Sequence, residues 1–563
     1  METNIAMLEQ SLQEDNTPAN RTNLNKAKAE YVHHLKIQEA ILRQKARVRW
    51  LKDGDANSAY FHRVIKNRRR RLSINKIMDE NQQWVEGNDK VAEAGVRYFK
   101  GIFSQTPEFN DYSNLEAINI MITEENNVSL IEIPSEEEIK SNLMSMDPNS
   151  VPGPDGFTAM FFQSCWDLVA YDITNAFYAF FCGANLPKWL NHTCIAMIPK
   201  VNSPQSFSDM RPISLCNVIS KKSSKVLNSR LSKILPSLIS NNQSGFIKGR
   251  SIIENVLLAQ EIIQDIDKLN FNGNVVLKLD MAKAYDRRLQ EILRTDDGAL
   301  STYEKVSGQM VNKQKSSVSI SPKEHYQAIT KIKEITGIVH KSFPIKYLGC
   351  PLYVGRKTTN LFSDMMGKIL NKIGGWHTKI LSVGGRAVLI KHVLLSMPIY
   401  FLAVMQPPIG VMNQIERMLN KFFWGGTYEV KKHHWASWEK MCYPYEEGGV
   451  AFRRIHDICA AFTVKQWWNL RARESLWGDF ILAKYCQRIH PVKKKWYSGN
   501  SQSWNAMCKV KVTVDKHIIW KIGRGEVSMW YDNWSGIGAL WTFLAEGRIP
   551  RNDNLSEILL NGH

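Results

Sequence analysis

The 563 residues contain no CxxC pair, no apolar run of bilayer length, no internal repeat and no low-complexity tract. Nine cysteines (Cys165, Cys182, Cys194, Cys216, Cys350, Cys442, Cys459, Cys486 and Cys508) are scattered and odd in number. Such spacing argues against a disulfide framework and fits a reducing compartment. His456 and Cys459 stand at i, i+3 with Cys442 nearby, but without a second ligand pair they read as core positions, not a zinc centre. The most apolar run, Val393 to Met405, contains Pro398 and is too short to span a membrane. It predicts a buried helix. The opening METNIAMLEQSLQEDN is polar and acidic, unlike a secretory signal. A soluble, unsecreted protein of the nucleus and/or cytoplasm is expected.

Acidic residues are also in deficit. Asp+Glu number 54 against 73 Lys+Arg, a formal net charge of +19 and a pI near 9.4. With 44% hydrophobic residues the composition is that of a globular protein with ample core. A cationic surplus of this size suits a polyanion, so RNA and DNA are the expected partners, with no membrane.

Residues 1–20 carry no apolar periodicity and predict an unstructured start. From Thr22, Leu24, Tyr31, Leu35 and Leu42 fall on one helical face. The segment RQKARVRWLKDGDANSAYFHRVIKNRRRRL follows, with Lys66, Arg68, Arg69, Arg70 and Arg71 as its densest charge. Interleaved Trp50, Tyr60 and Phe61 fit base stacking beside phosphate contacts, although a run of charge can equally be a solvated face. Residues 105–130 predict a variable connector. Ser135 before three glutamates predicts a helix start, and VPGPDGF a rigid turn. HTCIAMIPK and RPISLCNV predict two strands around the loop NSPQSFSDM, followed by a helix over about 220–235. A helix through Ile252, Val256, Ala259, Ile263 and Ile266 precedes a short strand, Val275 to Leu279, that ends at Asp280. Phe362, Met366, Ile369 and Ile373 mark a further helix stopped by Gly374-Gly375. Thirteen of the 17 tryptophans lie from Trp376 onward.

An Asp fixed at a strand tip is a good ligand for a hard cation, and nucleotidyl transfer requires two such ions held by carboxylates. Several stretches occur here in one order: VPGPDGF, IPK, RPISLCNV, QSGFIKGRSIIEN, LKLDMAKAYD, YEKVSGQMVNKQKSS and KYLGCPL, then GGWHTKILSVGGRAVLIKHVLLSMPIY, HHWASWEKMCYPYEEGGVAFR and IGRGEVSMWYDNW. In that order they resemble the reverse transcriptases of non-LTR (LINE-type) retrotransposons, most closely the plant kind. The resemblance runs from about Leu42 to about Trp534. It implies an α+β right-hand polymerase with fingers, palm and helical thumb, and a mostly helical Trp-rich C-terminal region. The implied divisions are 1–130 (basic arm and connector), 131–287 (fingers and first part of the palm), 288–357 (later palm and primer-grip motifs), 358–470 (thumb) and 471–563 (C-terminal region).

The roles implied by the resemblance fall on matching positions. Asp280 would be the first ligand of two Mg²⁺ ions, with Met281 lending its carbonyl. Tyr285 would be the steric gate against a ribose 2′-hydroxyl. Lys200 and Arg211 would lie near the triphosphate, and Lys315 would be the lysine of the later palm motif. Gln243 and Arg250 would build the template side, with Tyr347 and Gly349 at the primer grip.

One block of the pattern is missing. After AYDR the family continues with a long helix, a Gln-Gly turn and a hairpin bearing an aromatic-Ala-Asp-Asp motif. Here Asp286-Arg287 run directly into RLQEILRTDDGALSTYEKVSGQ. Asp296-Asp297 follow Arg294-Thr295, without flanking apolar strands, and predict a helical surface pair. On the order of 100 residues are therefore absent, and the palm is truncated. The expectation is a degenerate, catalytically inactive copy. The alternatives are a basic RNA/DNA-binding remnant, or an active polymerase if the block is missing only from the gene model.

Overall fold

The computed structural model describes residues 2–46, 58–103, 121–185, 187–201, 203–268, 274–280, 311–321, 329–330, 333–334, 336–375, 381–425, 433–473, 475–487, 489–522 and 527–544. The architecture is α+β, with four separate two-stranded sheets among these residues. The chain divides into two units. One comprises Leu72–Asn255 and Asp265–Ile345; the other comprises Met1–Arg71, Val256–Gln264 and Lys346–His563.

The unit containing Leu72–Asn255 begins with the end of helix α3 (Ser58–Leu72), following α1 (Glu2–Glu14) and α2 (Pro18–Ala46) of the other unit. Strands β1 (Lys76–Met78) and β2 (Trp84–Glu86) form a short antiparallel pair, and α4 (Asn88–Phe103) packs beside them. Ile77, Val91, Ala94 and Phe99 share a core with Phe207 and Met210. Helix α5 (Glu124–Ile131) occupies the end of the predicted connector. Thr123 starts it by accepting a hydrogen bond from the Asn126 amide, a cap that compensates for its weak apolar pattern.

Helix α6 (Glu136–Met144) starts where its sequence signals, with Ser135 Oγ accepting from the Glu138 amide at 3.2 Å. Helices α7 (Ala159–Ser164), α8 (Trp166–Phe181) and α9 (Lys188–Asn191) follow. Strands β3 (Thr193–Pro199) and β4 (Met210–Cys216) pair antiparallel from Thr193↔Cys216 to Pro199↔Met210. Helix α10 (Val218–Leu238) lays Val218 and Val226 into a core with Ile139, Leu143, Phe162, Trp166 and Phe177. Helix α11 (Ile252–Ile263) comes next, then β5 (Val275–Lys278), paired antiparallel with β6 (Ser317–Ile320).

The second unit holds α1 and α2, so residues 2–14 are helical and not unstructured. Their pairing is polar, which is why no apolar period announces it: Lys28 meets Glu9 at 2.7 Å, Tyr31 bonds Glu2, and α1 buries no side chain. Strands β7 (Ile345–Tyr347) and β8 (Cys350–Leu352) form a hairpin. Helices then dominate. Ser363–Ile373 ends at Gly374, Val383–Leu389 continues into a wider turn at Ile390–Leu394, and Ile399–Val404 begins after Pro398. The apolar run Val393 to Met405 is thus buried only in part, with Met397 and Tyr400 exposed, and it is broken, because proline disrupts a continuous helix. Ile409–Phe423, Ile455–Ala472, Leu476–Tyr485 and Gln502–Val514 complete the helical set, with Trp467, Trp477 and Trp504 fully buried. Among the described residues, no helix is long and apolar enough to cross a membrane.

Candidate nucleic-acid site

The VPGPDGF turn is built against the start of α10. A Cβ on Gly153 would lie 2.3 Å from Asn217 Oδ1 and 2.4 Å from Asn217 N, so only glycine fits. Asn217 is buried and stands at the helix cap, yet its side chain does not cap. It accepts from the Asp155 amide at 3.2 Å and donates to the carbonyls of Leu190 (3.0 Å) and Trp189 (3.3 Å). Lys221 Nζ donates to Val151 O at 2.9 Å. The turn, α9 and α10 are therefore locked around one amide. Asn217 escaped the sequence reading because an Asn before a helix suggests an ordinary cap.

The β3–β4 register puts Ile198 opposite Arg211, so Ala196, Ile198, Lys200, Arg211 and Ile213 share one face by alternation. Met197 and Met210, on the other face, pack into the core. Lys200 Nζ donates to Ser208 O at 2.9 Å, and its amide extends the ladder to Asp209 O. The Asp209 carboxylate accepts from the amides of Gln205 and Ser206, which hold it below the usual carboxylate range. Lys200 and Arg211 are both exposed.

Asp280 lies just past β5, and its main chain is tied on both sides. Its amide donates a hydrogen bond to Ser316 Oγ at 3.0 Å, and its carbonyl accepts from the Asn312 amide at 2.7 Å. The Lys315 amide donates to Asn312 Oδ1 at 3.1 Å. The segment bearing Lys315 is thus brought beside the strand bearing Asp280. Beyond β6, the edge is followed by residues 339–341, with Val318 bonded to Val339 O and Lys341 N. On its other edge β5 has no strand partner among the described residues, and Val275 and Leu277 are 54% and 43% exposed. Met281, Tyr285 and the Asp296-Asp297 pair lie outside the described residues.

Arg250 differs from a template contact in its geometry. Its guanidinium donates to the carbonyls of Ser240, Gln243, Pro236 and Ile239 at 2.6–2.9 Å and to Asn241 Oδ1 at 3.2 Å. It ties the end of α10 to the QSGFIKGRS loop. Gln243 is exposed on that loop. Tyr347 and Gly349 flank the tip of the β7–β8 hairpin in the other unit, where Tyr400 Oη donates to Leu348 O at 2.8 Å and Gly349 adopts φ +86°. Lys66 and Arg68 to Arg71 are exposed at the C-terminal end of α3, where the helix dipole favours cations.

Two Mg²⁺ ions require several oxygen ligands at one place. Asp280 supplies one carboxylate. Among the described residues no three His, Cys, Asp or Glu side chains gather into a metal-holding group. His456 is engaged with Asn413 Oδ1 at 3.0 Å, away from any such group.

A family profile described as reverse transcriptase (RNA-dependent DNA polymerase) matches residues 198–295, from the end of β3 past Asp280. A 149 kDa transposon TX1 protein of Xenopus laevis is 26% identical over 244 residues, covering 43% of this chain and 19% of that protein. The retrovirus-related Pol polyprotein of a type-2 retrotransposable element of Drosophila melanogaster is 26% identical over 152 residues, 27% of this chain and 14% of its own. This chain carries a retrotransposon reverse-transcriptase domain. A putative ribonuclease H protein of Arabidopsis thaliana is also similar, 28% identical over 191 residues, 33% of this chain and 30% of that one. The chain spans less than a third of the length of each of these relatives. Lys200 follows β3, Arg211 is the second residue of β4, and Asp280 lies just past β5.

Proposed function

We propose that this chain is a degenerate non-LTR retrotransposon reverse transcriptase that holds RNA or DNA but does not polymerise. The carrying observation is that β5 pairs with β6 alone among the described residues. Its partner on one side is the later palm strand β6. Its other edge has no strand partner among the described residues, and the Val275 and Leu277 side chains are exposed close to Asp280. That is the edge a hairpin bearing the second carboxylate pair would cover, and no such hairpin is encoded between Asp286 and Tyr303. In this reading the architecture is a right hand with a truncated palm and a helical thumb. One carboxylate cannot hold two Mg²⁺ ions in a preorganised pair, and losing such a unit removes most catalytic enhancement.

The basic arm, Lys200, Arg211 and Gln243 would then retain phosphate and strand contacts, while Arg250 positions the template loop. Two measurements test this. Affinity for a short RNA or DNA should fall steeply with salt, because phosphate contacts release counterions. Primer extension on a primed RNA with Mg²⁺ should give no product. Extension that disappears in Asp280→Ala would overturn the inactive reading.

A second reading has support in Asp280 itself, still seated at its strand tip: the block is missing from the gene model alone. Sequencing transcripts and genomic DNA across the Arg287 and Arg288 codons decides it. An in-frame block with the Gln-Gly turn and Asp-Asp hairpin would restore the active polymerase.

A further inference from the structure

The arginine run of α3 leads into a serine. Arg70 and Arg71 stand three and two residues before Ser73, with Arg68 and Arg69 just upstream. No other serine or threonine in the sequence follows a pair of adjacent arginines at that spacing. Helix α3 ends at Leu72, and Ser73 and Ile74 lie in irregular chain before β1 begins at Lys76. Arg68 to Arg71, Leu72 and Ser73 are all exposed. The Ser73 hydroxyl donates to Asn75 Oδ1 at 2.7 Å, and Asn75 is itself an exposed side chain. A hydrogen bond between two solvated groups exchanges for water at little net cost. Helix ends fray, so the final turn of α3 can extend into the cleft of a modifying enzyme.

We propose that Ser73 is a phosphorylation site for a protein kinase of the arginine-directed class, and that its phosphate is an electrostatic switch on nucleic-acid binding by the basic arm. The switch rests on the nucleic-acid reading above; the site itself does not. An acidic substrate groove on such a kinase selects Arg70 and Arg71 by charge. In the transfer, Ser73 Oγ bonds to the γ-phosphorus of a nucleoside triphosphate. The bond from that phosphorus to the β–γ bridging oxygen breaks, the nucleoside diphosphate leaves, and the hydroxyl proton passes to the kinase's catalytic aspartate. The product carries a charge of roughly −1.5 to −2 near neutral pH. It offsets roughly half the charge of Arg68 to Arg71. It also stands at the C-terminal end of α3, where the negative end of the helix dipole repels it and loosens the turn that carries the arginines.

The test treats the full chain with ATP and an arginine-directed kinase, maps phosphate by peptide mass spectrometry, and titrates an oligo-U RNA by anisotropy before and after. Phosphate should map to Ser73, and affinity should fall about 5- to 30-fold at low salt. The salt dependence should become shallower, because fewer counterions are released. Phosphatase should restore both. Ser73→Ala should bind as the untreated wild type does and should not respond to the kinase. Absence of phosphate at Ser73, or its appearance there only after unfolding in urea, overturns the site. Phosphate at Ser73 with unchanged affinity overturns the switch, as does an equal loss in treated Ser73→Ala, which would move the effect to another residue. An untreated wild type that binds no RNA overturns the nucleic-acid reading, and the switch with it, while the phosphate map still decides the site.

Discussion

Two strand pairs in one unit have had different fates. The β3–β4 pair runs through seven residue pairs, its strands are joined by a short loop, and its inner face is packed by Phe207, Met210 and the β1–β2/α4 layer. The β5–β6 pair has four residue pairs, its strands lie far apart in the chain, and Val275 and Leu277 stand in solvent. The first is closed by local contacts and does not depend on the rest of the polymerase. The second has no further strand partner among the described residues. The second pair holds together because Val318, Ile320 and Ile338 bury one another.

The largest way to break this contrast lies on the closed side. Gly153→Ala would drive a methyl into the Asn217 main chain and should cost about 3 kcal/mol, read as a lower urea midpoint. A neutral result would mean the turn is not locked to α10. Next is Arg230→Ala. Arg230 Nε and Nη2 clasp Glu138 at 3.0 and 2.7 Å beneath α5, and loss of this nearly buried pair should cost about 2 kcal/mol. Arg230→Lys should recover only part of it, since an ammonium cannot make the fork.

A third prediction concerns pH. Lys222 is 1% exposed, its Nζ lies 4.7 Å from the Trp166 ring, and no acceptor reaches it among the described residues. Burial lowers its pKa to about 7 from 10.5. The unfolded chain therefore binds the extra proton between these values. Stability should rise as pH increases from about 7 towards 10.5 and be flat below 7, at a slope on the order of 1 kcal/mol per pH unit. Lys222→Met should abolish that slope in pH-dependent urea unfolding. A persistent slope would assign it elsewhere.

The smallest effect is expected on the open side. Leu277→Ser should change stability by less than about 0.5 kcal/mol and reduce light scattering on warming, as exposed apolar surface invites association. A cost above about 1 kcal/mol would show that something covers that face.

Much of the closed side was legible in the sequence. Ser135, the two strands, α10 and α11 announce themselves through caps, alternation and 3.6-residue period. The α1–α2 pairing did not, because it is made by Lys28, Glu9, Tyr31 and Glu2 rather than by an apolar stripe. Of the candidate site, Lys200 and Arg211 could be placed on one face from strand spacing alone. The inward turn of Arg250 could not: an arginine after Lys-Gly looks the same whether it meets phosphate or four carbonyls.

Glu261, on the second half of α11, is buried and bonded by Tyr485 Oη and by Lys484 Nζ at 3.1 Å, partners more than 220 residues later in the chain. During synthesis at about 5–20 residues per second, this carboxylate would wait roughly 10 to 45 s for them to emerge. A ribosome that stalls or terminates between them releases a chain with an orphaned acid in an apolar seat. The timing of translation thus becomes part of how this protein reaches its fold.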